Sequence, residues 1–438
     1  MFRIQTEKVG GKTYQYERKP SCGEGAARMN QATKMEQPKQ SSWVSLTAFF
    51  ALASFIEIVL FSNLTAFTPV YLQDIGFDEA ATKFWTGILA SSAMFIGFWF
   101  VPMWGVLADR YGRKPLIVRS FAVEAAACVV MALAPNIWIF TLGRMLTGLA
   151  LGNTGLMFAS ISEHAPRRRV GFAIALVSAS QPLGGVFGSL LGGFIVSTFG
   201  ILALFWFNAF SIGSVFLILL LFYHEAFKPQ PTPRIFTMLK NSLRAVTHTP
   251  IVMRYFIFSF IATCGYFFSY PFLSTRVIQL ASGADVGATI GLVFGIAGIA
   301  TLIMTPLWGA LADKYGHARL LPVVTFLSGV AYIPLFFATT IPQFTFFYFV
   351  LAAFSPAINS LTFATIGVVT PPERRNAVMS MLYMPLNAAI VIAPTAASLL
   401  TTSVQQVFVY SAALVFGAYA WLIGTRRVSE TTPQAERS

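Results

Sequence analysis

Three ionisable residues fall deep inside apolar stretches of this chain: Glu57, Glu124 and Arg144. A charge at the centre of a bilayer costs roughly 3 kcal/mol on insertion scales, so such residues are kept for ion pairs, proton relays or contact with a ligand. On a helix, Ser54, Glu57, Phe61, Thr65 and Thr68 share a face about 80° wide, polar enough to line a cavity. A carboxyl on that face answers both to its apolar surroundings and to any nearby cation, whether bound ligand or Arg144. It can therefore trade a proton for a ligand. Two readings of Glu57 follow: a coupling acid, or a carboxyl paired with Arg144 for structure alone. Glu124 and Arg144 lie on consecutive stretches at similar depth. Ala125, Ala126, Ala127 and Cys128 leave room for tight packing around an ion pair, so Glu124 is either structural or part of a relay. The second half of the chain has no charge at such depth.

The elements that position these residues follow from composition. The chain is 56% hydrophobic and 11% charged, where a soluble globule carries about 25% charged residues. Twelve stretches reach the roughly 20 apolar residues that span a bilayer. They fall at about 43–72, 84–108, 115–134, 137–162, 171–198 and 200–223, then 251–275, 285–312, 318–339, 342–369, 377–402 and 404–424. The predicted fold is an all-α membrane protein, with a six-helix bundle at 42–223 and another at 251–424. A polar loop at 224–250 joins them. Residues 1–41 read as a disordered tail and 425–438 as a second tail.

Net charge is +13, and of the 30 Lys and Arg all but Lys83, Arg276 and Arg144 fall on one side of the spans. Basic residues favour cytoplasmic loops, so both termini, the central loop and both tails are placed in the cytoplasm, with the spans in the plasma (inner) membrane. This distribution accounts for the positive charge without a nucleic-acid partner. No nucleophile–base set, nucleotide-binding glycine loop or metal-ligand spacing of His and Cys is present, so neither an enzyme nor a metal site is indicated.

The phrase PMWGVLADRYG at 102–112 recurs as PLWGALADKYG at 306–316, differing only at 103/307, 106/310 and 110/314. Each copy ends an apolar stretch and begins a basic one, which points to a duplicated half and two pseudo-symmetric bundles. The segment 105–116 resembles the loop signature of the major facilitator superfamily, and 309–320 its degenerate second copy. The resemblance covers about 42–424 and implies two bundles that rock about a midplane site. It also implies a conformational latch of Gly105, Asp109, Arg110, Gly112, Arg113 and Lys114, with Gly309, Asp313, Lys314 and Gly316 as its second copy. Asp109 and Arg113 would brace the start of span 11 near Asn376 and Ala377, and Asp313 would brace span 5 near Gly171. RMLTGLALG at 144–152 resembles a family segment of span 4, with Arg144, Gly148, Gly152 and Gly155 in one stripe. GGVFGSLLGG at 184–193 resembles the signature of drug:proton antiporters, with Ser189 where proline is expected. Gly184, Gly188, Gly192 and Gly193 are thus an antiporter motif or a packing seam.

Phe61, Tyr266, Tyr270, Asn359, Tyr383 and Asn387 are candidate substrate contacts, since aromatic walls with few amides suit lipophilic, often cationic, compounds. Pro182, Pro271, Pro306, Pro356, Pro385 and Pro394 are hinges or static kinks. The expectation is a monomeric secondary transporter that exports hydrophobic or cationic drug-like compounds against protons by alternating access. The proton gradient supplies the energy and no cofactor is needed. The alternatives are an importer or uniporter of a neutral metabolite or other organic solute, and a non-transporting receptor or scaffold.

Overall fold

The computed structural model describes residues 4–9, 12–17, 42–225, 244, 246–281, 285–371, 378, 379 and 381–430. For residues 4–9, 12–17, 101, 102, 105, 106, 109 and 426–430 only the backbone is described. The chain divides into two compact units. In the smaller, residues 1–41 with 224–226, strands β1 (Ile4–Val9) and β2 (Lys12–Glu17) pair antiparallel, Ile4 opposite Glu17 and Val9 opposite Lys12. These strands correct the reading of 1–41 as wholly disordered. Tyr14, Tyr16 and the β-branched Ile4, Thr6, Val9 and Thr13 favour strands, and the sequence between them is Gly10-Gly11, a hairpin dipeptide. The polar composition of the tail as a whole hid that local signal.

The larger unit is helical. Its helices are α1 (Trp43–Asp74), α2 (Glu79–Tyr111), α3 (Arg113–Ala132), α4 (Ile137–His164), α5 (Val170–Phe199) and α6 (Ile201–Phe222). The second set is α7 (Pro250–Leu280), α8 (Val286–Tyr315), α9 (His317–Phe337), α10 (Ile341–Val369), α11 (Tyr383–Leu400) and α12 (Val404–Glu430). Eleven are long and apolar enough to cross a membrane, and α2, with 33 residues, is the twelfth. Two of them are broken. In α4 a 3-10 turn at Gly148–Ala150 and Gly152 at φ 102° separate Ile137–Thr147 from Asn153–His164. The continuous span expected at 137–162 is therefore corrected: only glycine adopts that φ without strain, and it resets the helix. In α7 a 3-10 turn at Tyr270–Phe272 containing Pro271 interrupts the helix.

The helix pairings repeat. Within the first six helices, α1 packs on α5 and α6, α3 on α4 and α6, and α2 on α4. Adding six to each number gives the pairings of the second set. The bundles meet through α5–α8 and α2–α11, which exchange under the same operation. This is the packing signature of a pseudo-twofold. The repeated phrase has a mechanical part in it: Gly112 (φ 93°) and Gly316 (φ 91°) end α2 and α8, and the next helix starts one residue later.

Among the described residues the close glycine contacts between α5 and α8 run from the end away from the basic loops, the far end, to about mid-helix. A side chain at Gly193 would come within 2.8 Å of Gly287 O and Gly291 Cα, and one at Gly291 within 2.8 Å of Ser189 O. Bonds from the Ser197 hydroxyl and, next, from the Ala288 N–H hold the Asp285 carboxyl below the usual carboxylate range. Toward the basic ends of the same helices the contact is lost: a Cβ at Gly309, on the same face of α8 as Gly291, or at Gly171 of α5 would meet nothing within 4 Å. The unit is closed at its far end and open at its basic end. Backbone approach governs α1–α5 as well: a Cβ at Gly188 would lie 2.9 Å from Val59 Cα, whereas one at Gly185 meets nothing nearer than 3.9 Å. Gly188→Val should cost about 1–3 kcal/mol through overpacking. Gly185→Val should be close to neutral, a contrast that thermal unfolding of the two detergent-solubilised variants will show.

Candidate functional site

A cavity of about 380 Å³ lies within the helical unit, lined from seven helices. Glu57, Phe61 and Thr65 come from α1, Ala90 and Met94 from α2, Glu124 from α3, and Arg144, Thr147 and Gly152 from α4. Gln181 of α5, Phe267, Tyr270 and Pro271 of α7, and Tyr383, Ile390 and Pro394 of α11 complete it. Both helix breaks form part of its wall. Irregular backbone at membrane depth is tolerated where it faces a cavity, so breaks and cavity require each other.

The three charges predicted at depth therefore meet at one cavity. Among the described residues they form no ion pair, however; the only pairs are Arg113–Glu163 and Asp313–His317. The ion pair expected of Glu124 and Arg144 is corrected accordingly, and the alternative reading of Glu57, a carboxyl paired with Arg144, has no ion pair behind it. Glu57 Oε1 accepts from Asn153 Nδ2 at 3.5 Å, at the start of the second segment of α4. Glu124 Oε2 and Arg144 Nε are buried without a partner. Each residue lines the cavity rather than pairing with another charge. Of the polar face of α1, Ser54 and Thr68 are buried instead.

Among the candidate contacts, Phe61, Tyr270 and Tyr383 line this cavity. Tyr266 and Asn359 line a second space of about 10 Å³ with Thr263, Ser328, Tyr332 and Ser355, room for about one water. Asn387 lines neither. Tyr266 stacks on Tyr270 (centroids 5.1 Å apart), so a pair of rings separates the two spaces. Sequence reasoning missed Gln181 and Asn153. Each is an uncharged amide within an apolar stretch, and that was the signal available.

The latch residues are less assembled. The Asp109 side chain, with Asn376 and Ala377, lies outside the described residues, and of Gly105 only the helical backbone is described. Arg113 grips Glu163 of α4 with both guanidinium nitrogens, Nη2–Oε1 at 2.6 Å. Lys114 Nζ donates to Leu220 O at 3.2 Å, near the end of α6. Arg110 and Lys314 lie over the neighbouring Tyr111 and Tyr315 rings. Asp313 is 80% exposed and 3.5 Å from His317, so it does not brace α5 at Gly171, and a Cβ at Gly309 would meet nothing within 4 Å. The reason is the open basic end, which holds those helix ends apart.

In the glycine motif, Gly184, Gly188 and Gly192 face Phe55 O, Val59 and Asn63 on α1, while Gly193 faces α8. The ladder is a packing seam on one side and an inter-bundle contact on the other. Ser189, in place of proline, bonds Ser62 of α1 at 2.8 Å. In the neighbouring glycine stripe of α4, Gly148 packs against the Ala93 carbonyl of α2, and a Cβ at Gly155 would meet nothing within 4 Å.

Twelve spans in two duplicated bundles, enclosing a charged cavity that opens at one end, define a membrane transporter of the secondary class. The model of the Major Facilitator Superfamily matches residues 50–286 and 255–438, and the chain belongs to that superfamily. Similar proteins include the "Multidrug resistance protein MdtG" of Enterobacter lignolyticus, 29% identical over 316 residues, or 71% of this chain and 75% of that one. The protein of the same name from Salmonella dublin is 28% identical, covering 71% and 78%. Among solved structures, the nucleoside transporter NupG aligns with a TM-score of 0.70 at 16% identity, covering 87% of this chain and 99% of that one. A bacterial homologue of the human lysosomal transporter Spinster, inward-facing and unoccupied, gives 0.69 at 16% identity, covering 90% and 98%.

The open end has a direct check. A Thr65→Cys thiol should react with a membrane-impermeant maleimide applied at the basic face and stay unlabelled when the reagent is applied at the far face.

Proposed function

We propose that this protein exports hydrophobic, cationic drug-like compounds in exchange for protons. The observation that carries this reading is the meeting of Glu57, Glu124 and Arg144 on one aromatic-walled cavity. With both carboxyls ionised, two negative charges face one guanidinium, and a lipophilic cation supplies the missing positive charge. Phe61, Phe267, Tyr270 and Tyr383 add apolar area and ring faces for it. A proton taken up by Glu57 cancels the same attraction, so proton and substrate compete for one carboxylate. That competition is the elementary step of antiport. The names of the MdtG relatives agree with efflux of drugs, and no catalytic group is needed. The energy source is the proton gradient rather than a bound cofactor.

The distribution of Lys and Arg supports a multi-pass protein of the inner membrane with its basic end and both termini in the cytoplasm. The state described above is then inward-facing. The protein acts as a monomer, because each chain contains a whole cavity.

Inside-out vesicles with an acidified lumen and a trapped pH dye provide the test. Adding tetraphenylphosphonium, a lipophilic cation that cannot carry a proton, should speed luminal alkalinisation. Glu57→Gln should abolish that response while the protein still reaches the membrane. Wild-type rates in this variant would remove Glu57 from the mechanism, and no pH response in the parent chain would favour uniport or import.

A further inference from the structure

Lys83 and Arg276 are the two basic residues found at the far end, and the structure gives both the same kind of partner: the C-terminus of a helix. Arg276 Nη2 donates to Ala338 O, the C-cap residue of α9, at 2.8 Å. Donor and acceptor belong to the same bundle, so bundle motion leaves this bond alone. Lys83 is placed differently. From the second turn of α2 its ammonium donates to the carbonyl of Thr401, the C-cap residue of α11 in the other bundle, with Thr401 Oγ1 at 3.4 Å. Lys83 is only 9% exposed, and among the described residues it forms no ion pair. The negative end of the α11 dipole is what balances its charge.

Neighbouring contacts on the same seam also join the two bundles. Glu79 Oε1 accepts from Gln279 Nε2, a Cβ at Gly87 would press on Ser398 at 2.6 Å, and Ser91 Oγ accepts from the Thr395 N–H at 3.2 Å. Parting α2 from α11 breaks the contacts of Lys83, Gly87 and Ser91, and moving α2 from the second bundle as a whole breaks that of Glu79 with Gln279 of α7 as well. For the neutral groups water is an adequate substitute, since it replaces each such bond with one of similar strength. A buried ammonium loses more, because its charge is left without the helix terminus that compensated its desolvation.

We propose that Lys83 is a gating residue: by capping α11 across the bundle interface it holds the far end shut. The inference rests on alternating access in this superfamily member and not on the identity of the substrate or on proton coupling.

The test uses the full chain in lipid nanodiscs, without native cysteines, and spin-label distances at both ends. Ile75→Cys and Leu400→Cys report the far end, and Phe172→Cys and Leu311→Cys the basic end; all four positions are exposed. Lys83→Met keeps the length of the side chain and removes its charge. The ratio of long to short far-end distances should rise about five- to thirty-fold, as expected for a cation favourably placed at a helix C-terminus. Basic-end distances should shorten in the same sample. Unchanged distances at the far end would overturn the proposal. So would lengthening at both ends together, which marks a loosened fold rather than a gate. Because the readout is conformational, failure here leaves the proton-exchange reading standing.

Discussion

The structure is organised by what it takes to keep Glu57, Glu124 and Arg144 inside an apolar bundle. At that depth a charge has to face a partner, a polar group or water. Here all three face one cavity, and no two of them pair. The cavity in turn needs wall positions that a continuous helix does not supply, and α4 and α7 break at its edge. Glu57 meets Asn153 at the start of the second segment of α4, where backbone N–H groups carry partial positive charge. The break therefore shapes the space and supports the acid as well.

The two bundles share a plan but not a chemistry. The Glu57–Asn153 contact between α1 and α4 has a counterpart between α7 and α10, Thr263–Asn359, and both pairs are separated by 96 residues in sequence. Counted from the repeated phrase, Glu124 corresponds to Ser328 and Arg144 to Tyr348. Ser328 bonds Ser355 at 2.5 Å, closing the second space where the first bundle keeps charges at an open one. The repeated tryptophans diverge too. Trp308 donates to Ala353 O at 2.9 Å. Beside Trp104, Arg119 lies over the ring at 3.6 Å and itself donates to Leu149 O at 3.2 Å. Duplication supplied two symmetric supports, and substitution confined ion chemistry to the first.

Much of this was legible in the sequence because membrane spans are written in long stretches of one composition. The twelve helices and the duplicated halves follow from apolar length and one repeated phrase. The charged face of the cavity follows from three residues that do not belong in hydrocarbon. What escaped was local or conformational. The break in α4 depends on one glycine at φ 102°, and the glycine stripe reads equally well as a continuous packing face. Lys83 looks like a loop residue until α2 proves to start at Glu79. The bracing expected of Asp313 belongs to a pairing of helix ends that an open basic end keeps apart, and sequence does not specify a state. The hairpin of the first unit was hidden by averaging over a polar tail, although Gly10-Gly11 marked its turn.

The central claim is that proton and cationic substrate compete for Glu57 within one cavity. Calorimetric titration of the purified protein with tetraphenylphosphonium, in buffers of different ionisation enthalpy near neutral pH, measures the protons released on binding. The account predicts proton release in the parent chain and none in Glu57→Gln. Binding that releases no protons in the parent chain, or release that survives the substitution, would contradict it.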